Sequence, residues 1–151
     1  MFQGDIFSNI VIAAPYLTLD DAWEAARIAG IDEDIRRMPM GMYTDMTGGA
    51  VSGGQRQRIL IARAVAAKPK ILIFDEATSA LDNVTQAKVS ESLDRMKCTR
   101  IVVAHRLSTI RNCDRIIVLD KGRIIEDGSY DDLLKKNGFF AGLVARQRPE
   151  S

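Results

Sequence analysis

A small set of residues in this chain has the types and spacing that phosphate chemistry needs. Ser52-Gly53-Gly54-Gln55 puts a hydroxyl and two glycines at the start of a helical pattern. A helix N-terminus exposes backbone N–H groups to an anion, and glycine lets the backbone approach a phosphate closely. Ile71-Leu72-Ile73-Phe74 is an apolar run that ends in Asp75-Glu76. Ligands in open α/β sheets gather at the carboxyl ends of strands. Two adjacent acids there suit a cation and an attacking water. Asp82 lies in Ser79-Ala80-Leu81-Asp82, and His105 directly follows the apolar run Ile101–Ala104. A histidine at a strand's carboxyl end can contact a terminal phosphate. Each piece alone has a plainer reading. Alone, the glycines read as a capped turn, the acids as a solvated strand end, Asp82 as an N-cap before Val84, and His105 as a surface or packing residue. Arg56 and Arg58 alone read as solvated helix charges.

The elements that must position these residues are legible in outline. Residues 1–50 read as helical and irregular. Gly4–Ile10 reads as a short apolar turn. Thr18 with Asp21 forms a capping-box pattern that opens a helix through Ala29, with Gly30 as its stop. Trp23 on that helix reads as packing. A short helix spans Asp32–Arg37, and residues 40–50 read as a loop. Ser52 with Gln55 repeats the capping box and opens a helix to about Ala67, which Pro69 ends. Ile71–Asp75 suits a strand buried on both faces. A helix from about Val84 to Lys97, strands at Arg100–Ala104 and Arg115–Leu119, and a hairpin into Arg123–Glu126 follow. Two short helices close the chain. Strands alternating with helices imply an α/β fold with a mostly parallel sheet.

Composition sets limits. Hydrophobic residues make up 46% of the 151 positions and the net charge is +1. That balance gives no general pull toward nucleic acid or an anionic membrane. No stretch approaches the roughly 20 apolar residues a membrane-spanning helix needs. Cys98 and Cys113 show no metal or redox spacing and read as reduced bystanders.

Taken together, in this order, the signature-like Ser52–Gln55 helix start, the Asp75-Glu76 strand end, the Ser-Ala-Leu-Asp loop and Ala104-His105 resemble the ATPase domain of ATP-binding-cassette (ABC) transporters. The resemblance covers essentially the whole chain. Gly4–Ile10 resembles the exporter type, in which membrane and ATPase domains share a chain, and the subgroup the resemblance suggests is the peptide or bacteriocin exporters. It implies a partial P-loop NTPase fold, with residues 1–50 in the helical subdomain and its preceding loop, and 51–151 in the C-terminal part of the core. It implies ATP and Mg²⁺ as ligands, with Ser52, Gly53, Gly54 and Gln55 contacting the γ-phosphate of ATP held by a partner subunit. Asp75 would hold Mg²⁺, as such an aspartate does in P-loop NTPases. Glu76 would be the base, His105 the switch residue, and Asp82 part of a loop crossing the dimer interface. The implied partners are a second ATPase domain and a transmembrane domain, with no nucleic acid. The implied location is the cytoplasmic face of the plasma or inner membrane, through a membrane domain outside this chain. Two alternatives stay open at this point: an ATPase head of the chromosome-maintenance or DNA-repair kind, and a non-catalytic module that lends its signature helix to a complete partner. No sustained heptads and no basic stripe favour the head.

The departures from the family pattern are as informative. Val51 replaces the more usual leucine. Gln3 lies too close to Gly4 to match the family's Mg²⁺-sensing glutamine. The loop before Val51 is short, with Asp45 its one nearby acid. No G-x-x-x-x-G-K-[ST] phosphate loop occurs in the sequence, so the expectation is a domain truncated before that loop. The phosphate loop supplies most N–H donors to the β-phosphate. The isolated chain is therefore expected to bind Mg-ATP with a Kd no better than about 1 mM. Calorimetry yielding low-micromolar binding would contradict this.

Overall fold

The computed structural model describes residues 2–47, 49, 51–75, 81–103 and 107–147. Its elements are α1 (Ile6–Val11), α2 (Leu19–Ile28), α3 (Asp32–Arg37), a 3₁₀ turn (Gly41–Tyr43), α4 (Gly53–Ala66), β1 (Ile71–Asp75), α5 (Asn83–Asp94), β2 (Thr99–Val103), α6 (Leu107–Ile110), β3 (Ile116–Asp120), β4 (Arg123–Gly128), α7 (Tyr130–Lys135) and α8 (Phe139–Gln147). They form two compact units, residues 1–102 and 103–151. The strands are hydrogen-bonded as two pairs, β1 with β2 and β3 with β4.

The first unit is organised around α4. Its buried residues Ile59, Ile61, Ala62, Val65 and Ala66 belong to one core with Ile6 and Ile10 of α1 and Ala22, Ala25 and Ala26 of α2. The alanines leave α2 a flat face on which a neighbouring helix can lie close. The α2 capping box forms as expected, with Thr18 and Asp21 satisfying each other's backbone N–H groups. Its end is a Schellman motif: Gly30 has φ +65°, Ile31 N–H donates to Ala26 O at 2.9 Å and Gly30 N–H to Arg27 O at 3.1 Å. Trp23 packs against this core, with the Arg36 guanidinium 4.5 Å over its ring.

Three sequence expectations change. Gly4–Ile10 is not a turn: Ile6–Val11 is helical, and the Asp5 carboxylate caps it by accepting from Ser8 N–H at 2.7 Å. Six residues are too few to hold a helix by propensity. Tertiary contacts hold it, through Ile6, Ile10 and buried Asn9. The Asn9 side chain accepts from Phe2 N–H and from Arg63 of α4 and donates to Phe2 O and Asp5 O. Residues 40–50 are not a plain loop either. Beyond the 3₁₀ turn, Asp45 bridges Asp5 in antiparallel fashion, and Met42 and Met46 are buried.

The third change is at β1, which is buried on one face only. Leu72 and Phe74 point into the core at 4% and 9% exposure, while Ile71 and Ile73 stay 59% and 69% exposed. Helix α4 and its neighbours cover one side, and no described residue covers the other. The connection from β1 to β2 runs through α5.

The second unit is a hairpin with three helices, α6, α7 and α8, among the described residues. Lys121 and Gly122 both have positive φ, +47° and +75°, which suits a tight turn whose twist matches the strands. Arg115 grips Asp127 across the pair with two hydrogen bonds of 2.9 and 2.6 Å. The Glu126 carboxylate accepts from the N–H groups of Phe139 and Phe140 at 3.1 and 2.7 Å and so caps α8. Ile116, Val118, Leu133, Phe140 and Val144 form its core. Cys98 and Cys113 are not disulfide-bonded.

Ile71, Ile73, Ile101, Val103, Leu119 and Ile124 leave strand faces that are apolar and exposed. Such surfaces favour association. The isolated chain is expected to melt early and to self-associate, read by circular dichroism with light scattering. A sharp, reversible, monomeric transition at a typical mesophilic midpoint would contradict this.

Candidate functional site

The N-terminus of α4 gathers four of the residues singled out in the sequence. Ser52 is extended (φ −68°, ψ 165°) and caps the helix. Its Oγ accepts from Gln55 N–H at 3.2 Å, and the Gln55 side-chain oxygen accepts from Ser52 N–H at 2.9 Å. This is the reciprocal capping box the spacing implies. A hydroxyl has one donor and two acceptor positions. The capping bond uses an acceptor, so the Ser52 O–H hydrogen stays available to an anion.

Two further features mark this helix end. The first turn of α4 carries no acidic residue that would neutralise the positive end of the helix dipole. No described residue accepts from the N–H of Gly53 or Gly54. Among the described residues nothing requires Gly53 to be glycine. Its φ is not positive, and a Cβ built there would meet nothing within 4 Å. The space beside it is open.

Behind this surface the helix start is firmly held. Arg56 Nε donates to Val51 O at 3.2 Å. Arg58 pairs with Asp34 of α3 at 2.9 Å and donates to Gly30 O at 2.6 Å, and its side chain is only 16% exposed. Neither arginine is a merely solvated charge. Gln55 Nε2 also reaches Asp34, at 3.3 Å. Sequence reasoning missed Asp34, because it lies 21 positions before Gln55 and no helical or strand spacing joins them.

The remaining candidates sit on separate elements. Asp75 ends β1 with an exposed carboxylate. It lines an open cleft of about 270 Å³ between β1 and α4, with Leu60, Ile61 and Ile73 among the walls. Among the described residues no three His, Cys, Asp or Glu side chains cluster as a metal site. Mg²⁺ typically takes one or two carboxylates and completes its shell with waters and substrate phosphates, so a single exposed aspartate at a strand end fits it. Asp82 is the N-cap of α5. Its Oδ1 accepts from the N–H groups of Val84 and Thr85, both at 3.0 Å, and Oδ2 from Thr85 Oγ1 at 2.6 Å. The Thr85 hydroxyl first, then the backbone N–H groups, hold its carboxyl below the usual aspartate range. Glu76 and His105 lie outside the described residues.

The chain is similar to several known proteins. The family model described as ABC transporter matches residues 5–79. The chain is 44% identical over 151 residues to ABC transporter B family member 2 of Dictyostelium discoideum, covering 97% of this chain and 11% of that protein. It is 43% identical to the mycobactin import ATP-binding/permease protein IrtB of Mycolicibacterium thermoresistibile, covering 100% of this chain and 27% of that protein. It is 42% identical to the transport/processing ATP-binding protein ComA of Streptococcus pneumoniae, over 95% of this chain and 20% of that one. The solved structure of a bacterial Atm1-family ABC exporter with ATP bound superposes with a TM-score of 0.94 at 41% identity, over 100% of this chain and 27% of that one. The chain thus spans about a quarter or less of the length of these relatives. They favour the transporter reading over a DNA-repair head or a non-catalytic module. The relatives' names differ in cargo at nearly equal identity, so the likeness reaches the domain and not a transported substrate. The chain belongs to the ABC transporter family, as α/β nucleotide-binding-domain sequence.

Proposed function

We propose that this stretch serves the ATP-driven step of an exporter, with the start of α4 as a phosphate-contacting surface. The observation that carries the reading is the capped, acid-free helix end, where nothing among the described residues requires Gly53 to be glycine. The demand for glycine then comes from outside, from a group that must approach the backbone closely. The solved relative with ATP bound supports ATP as that group.

In this reading the Ser52 hydroxyl and the Gly53 and Gly54 N–H groups donate to the γ-phosphate of ATP held by a second ATPase domain. The Gln55 amide nitrogen has a second N–H beyond the one directed at Asp34. Asp75 holds Mg²⁺, which neutralises charge on the phosphate oxygens when bound. Glu76 orients and deprotonates the attacking water, and His105 contacts the γ-phosphate as a switch. Asp82 keeps its carboxylate for α5 and belongs to the loop that crosses the interface with the partner domain. Residues 1–50 belong to the helical subdomain and 51–151 to the core. A transmembrane domain outside this stretch places the whole at the cytoplasmic face of a membrane and carries the cargo. Among the described residues no helix is long and apolar enough to cross a membrane.

Two substitutions test the assignment in a protein that carries this stretch together with a phosphate loop. Glu76→Gln keeps the shape but cannot take a proton. It is expected to reduce turnover by about 10²–10⁴-fold while ATP binding persists. Near-normal turnover removes Glu76 from the role of base. Ser52→Arg places a bulky cation where a partner's phosphate must approach. It is expected to block ATP-driven dimerisation at the cost of about 1 kcal/mol from the lost cap, leaving the domain folded. A dimer that still forms with ATP on gel filtration would show that Ser52 does not face a partner.

A further inference from the structure

We infer that Asp34 is a positioning residue for the phosphate-contacting surface, holding the amide of Gln55 in the orientation that closes the Ser52 cap. The inference rests on the reading of the α4 N-terminus given above.

The geometry is a short chain of contacts. Gln55 uses both ends of its amide: the oxygen accepts from Ser52 N–H at 2.9 Å, and the nitrogen donates to Asp34 Oδ1 at 3.3 Å. An amide can be turned over with little steric change, so its orientation depends on what each end meets. A carboxylate can only accept. Asp34 therefore selects the orientation that sends the Gln55 nitrogen toward α3 and the oxygen toward Ser52. Asp34 is itself fixed. Its Oδ2 lies 2.9 Å from Arg58 NH1, and the same nitrogen donates to Gly30 O at 2.6 Å. Gly30 O is set by the Schellman end of α2. The helical segment upstream thus meets the first two turns of α4 through the Asp34 carboxylate and the Gly30 carbonyl. A shift of α3 would release Gln55 and loosen Ser52 without any change in the buried face of α4.

The test reads ATP turnover, with kcat and KM separated, in a protein that carries this stretch together with a phosphate loop. Asp34→Ala is expected to lower kcat by about 10-fold to 100-fold with little change in KM. Asp34→Glu is expected to restore most of the loss. Asp34→Ala should add nothing to Gln55→Ala, because residues acting through one another are not additive. Amide hydrogen exchange without nucleotide gives a second readout. Exchange at Gln55 N–H should quicken while Ile59 and Ala62 keep their rates. Should Asp34→Ala fail to fold, Asp34→Asn is isosteric, can present a donor to Gln55, and is expected to move both readouts the same way. A normal kcat, additivity with Gln55→Ala, or faster exchange along all of α4 would each overturn the inference. Ser52→Arg separates the two levels. If it keeps full turnover, the phosphate surface falls and Asp34's role with it. If it is inactive while Asp34→Ala is normal, only the role of Asp34 falls.

Discussion

The buried face of α4 fixes the direction in which its N-terminus points, and the rest of the first unit is arranged around that constraint. Ile59, Ala62 and Val65 are each 1% exposed or less. Burying an Ile or Val side chain contributes about 1.5–3 kcal/mol, whereas an N-cap contributes about 1 kcal/mol. The core therefore decides where the helix lies. The Ser52–Gln55 box decides only where it starts. Helices α1 and α2 supply the facing surface, and Asn9 ties α1 to Arg63 of α4 through hydrogen bonds of 2.6 and 2.8 Å. A helix end held this way can present donors outward without moving to meet a ligand. That is the preorganisation electrostatic stabilisation requires.

What could be read from the sequence follows from how local each feature is. Both capping boxes, the Gly30 stop, the Asp32–Arg37 helix and the β1 boundaries rest on residues within a few positions of one another, and the structure places them as expected. The Asp82 N-cap was one of two local readings, and it is the one the geometry shows. Features that depend on distant partners were not legible. Helix α1 is too short to be stable alone, so only its packing on α4 identifies it. The exposure of Ile71 and Ile73 depends on what lies over β1, and an apolar run looks the same in either case. The Asp34 contacts span more than twenty positions. Arg58 looked like a surface charge because its partners lie in other elements.

The site was legible as a set of residue types but not as a geometry. Its proposed phosphate role comes from the resemblance to ABC transporters, to which the chain is 41–44% identical. The structure adds the physical reason the helix end suits that role. The Ser52 Oγ is engaged as an acceptor and its hydrogen remains, the Gln55 amide is oriented by its neighbours, and Gly53 opens onto free space. Together these make a surface of donors with no competing carboxylate in the first turn.

The most direct measurement is a structure of the protein that carries this stretch and a phosphate loop, trapped with a non-hydrolysable ATP analogue. The expected result places a terminal phosphate oxygen within hydrogen-bond distance of Ser52 Oγ and of the Gly53 or Gly54 N–H, with the nucleotide's base held by the partner domain. A nucleotide whose terminal phosphate lies away from the start of α4, with no contact to residues 52–54, would contradict the account.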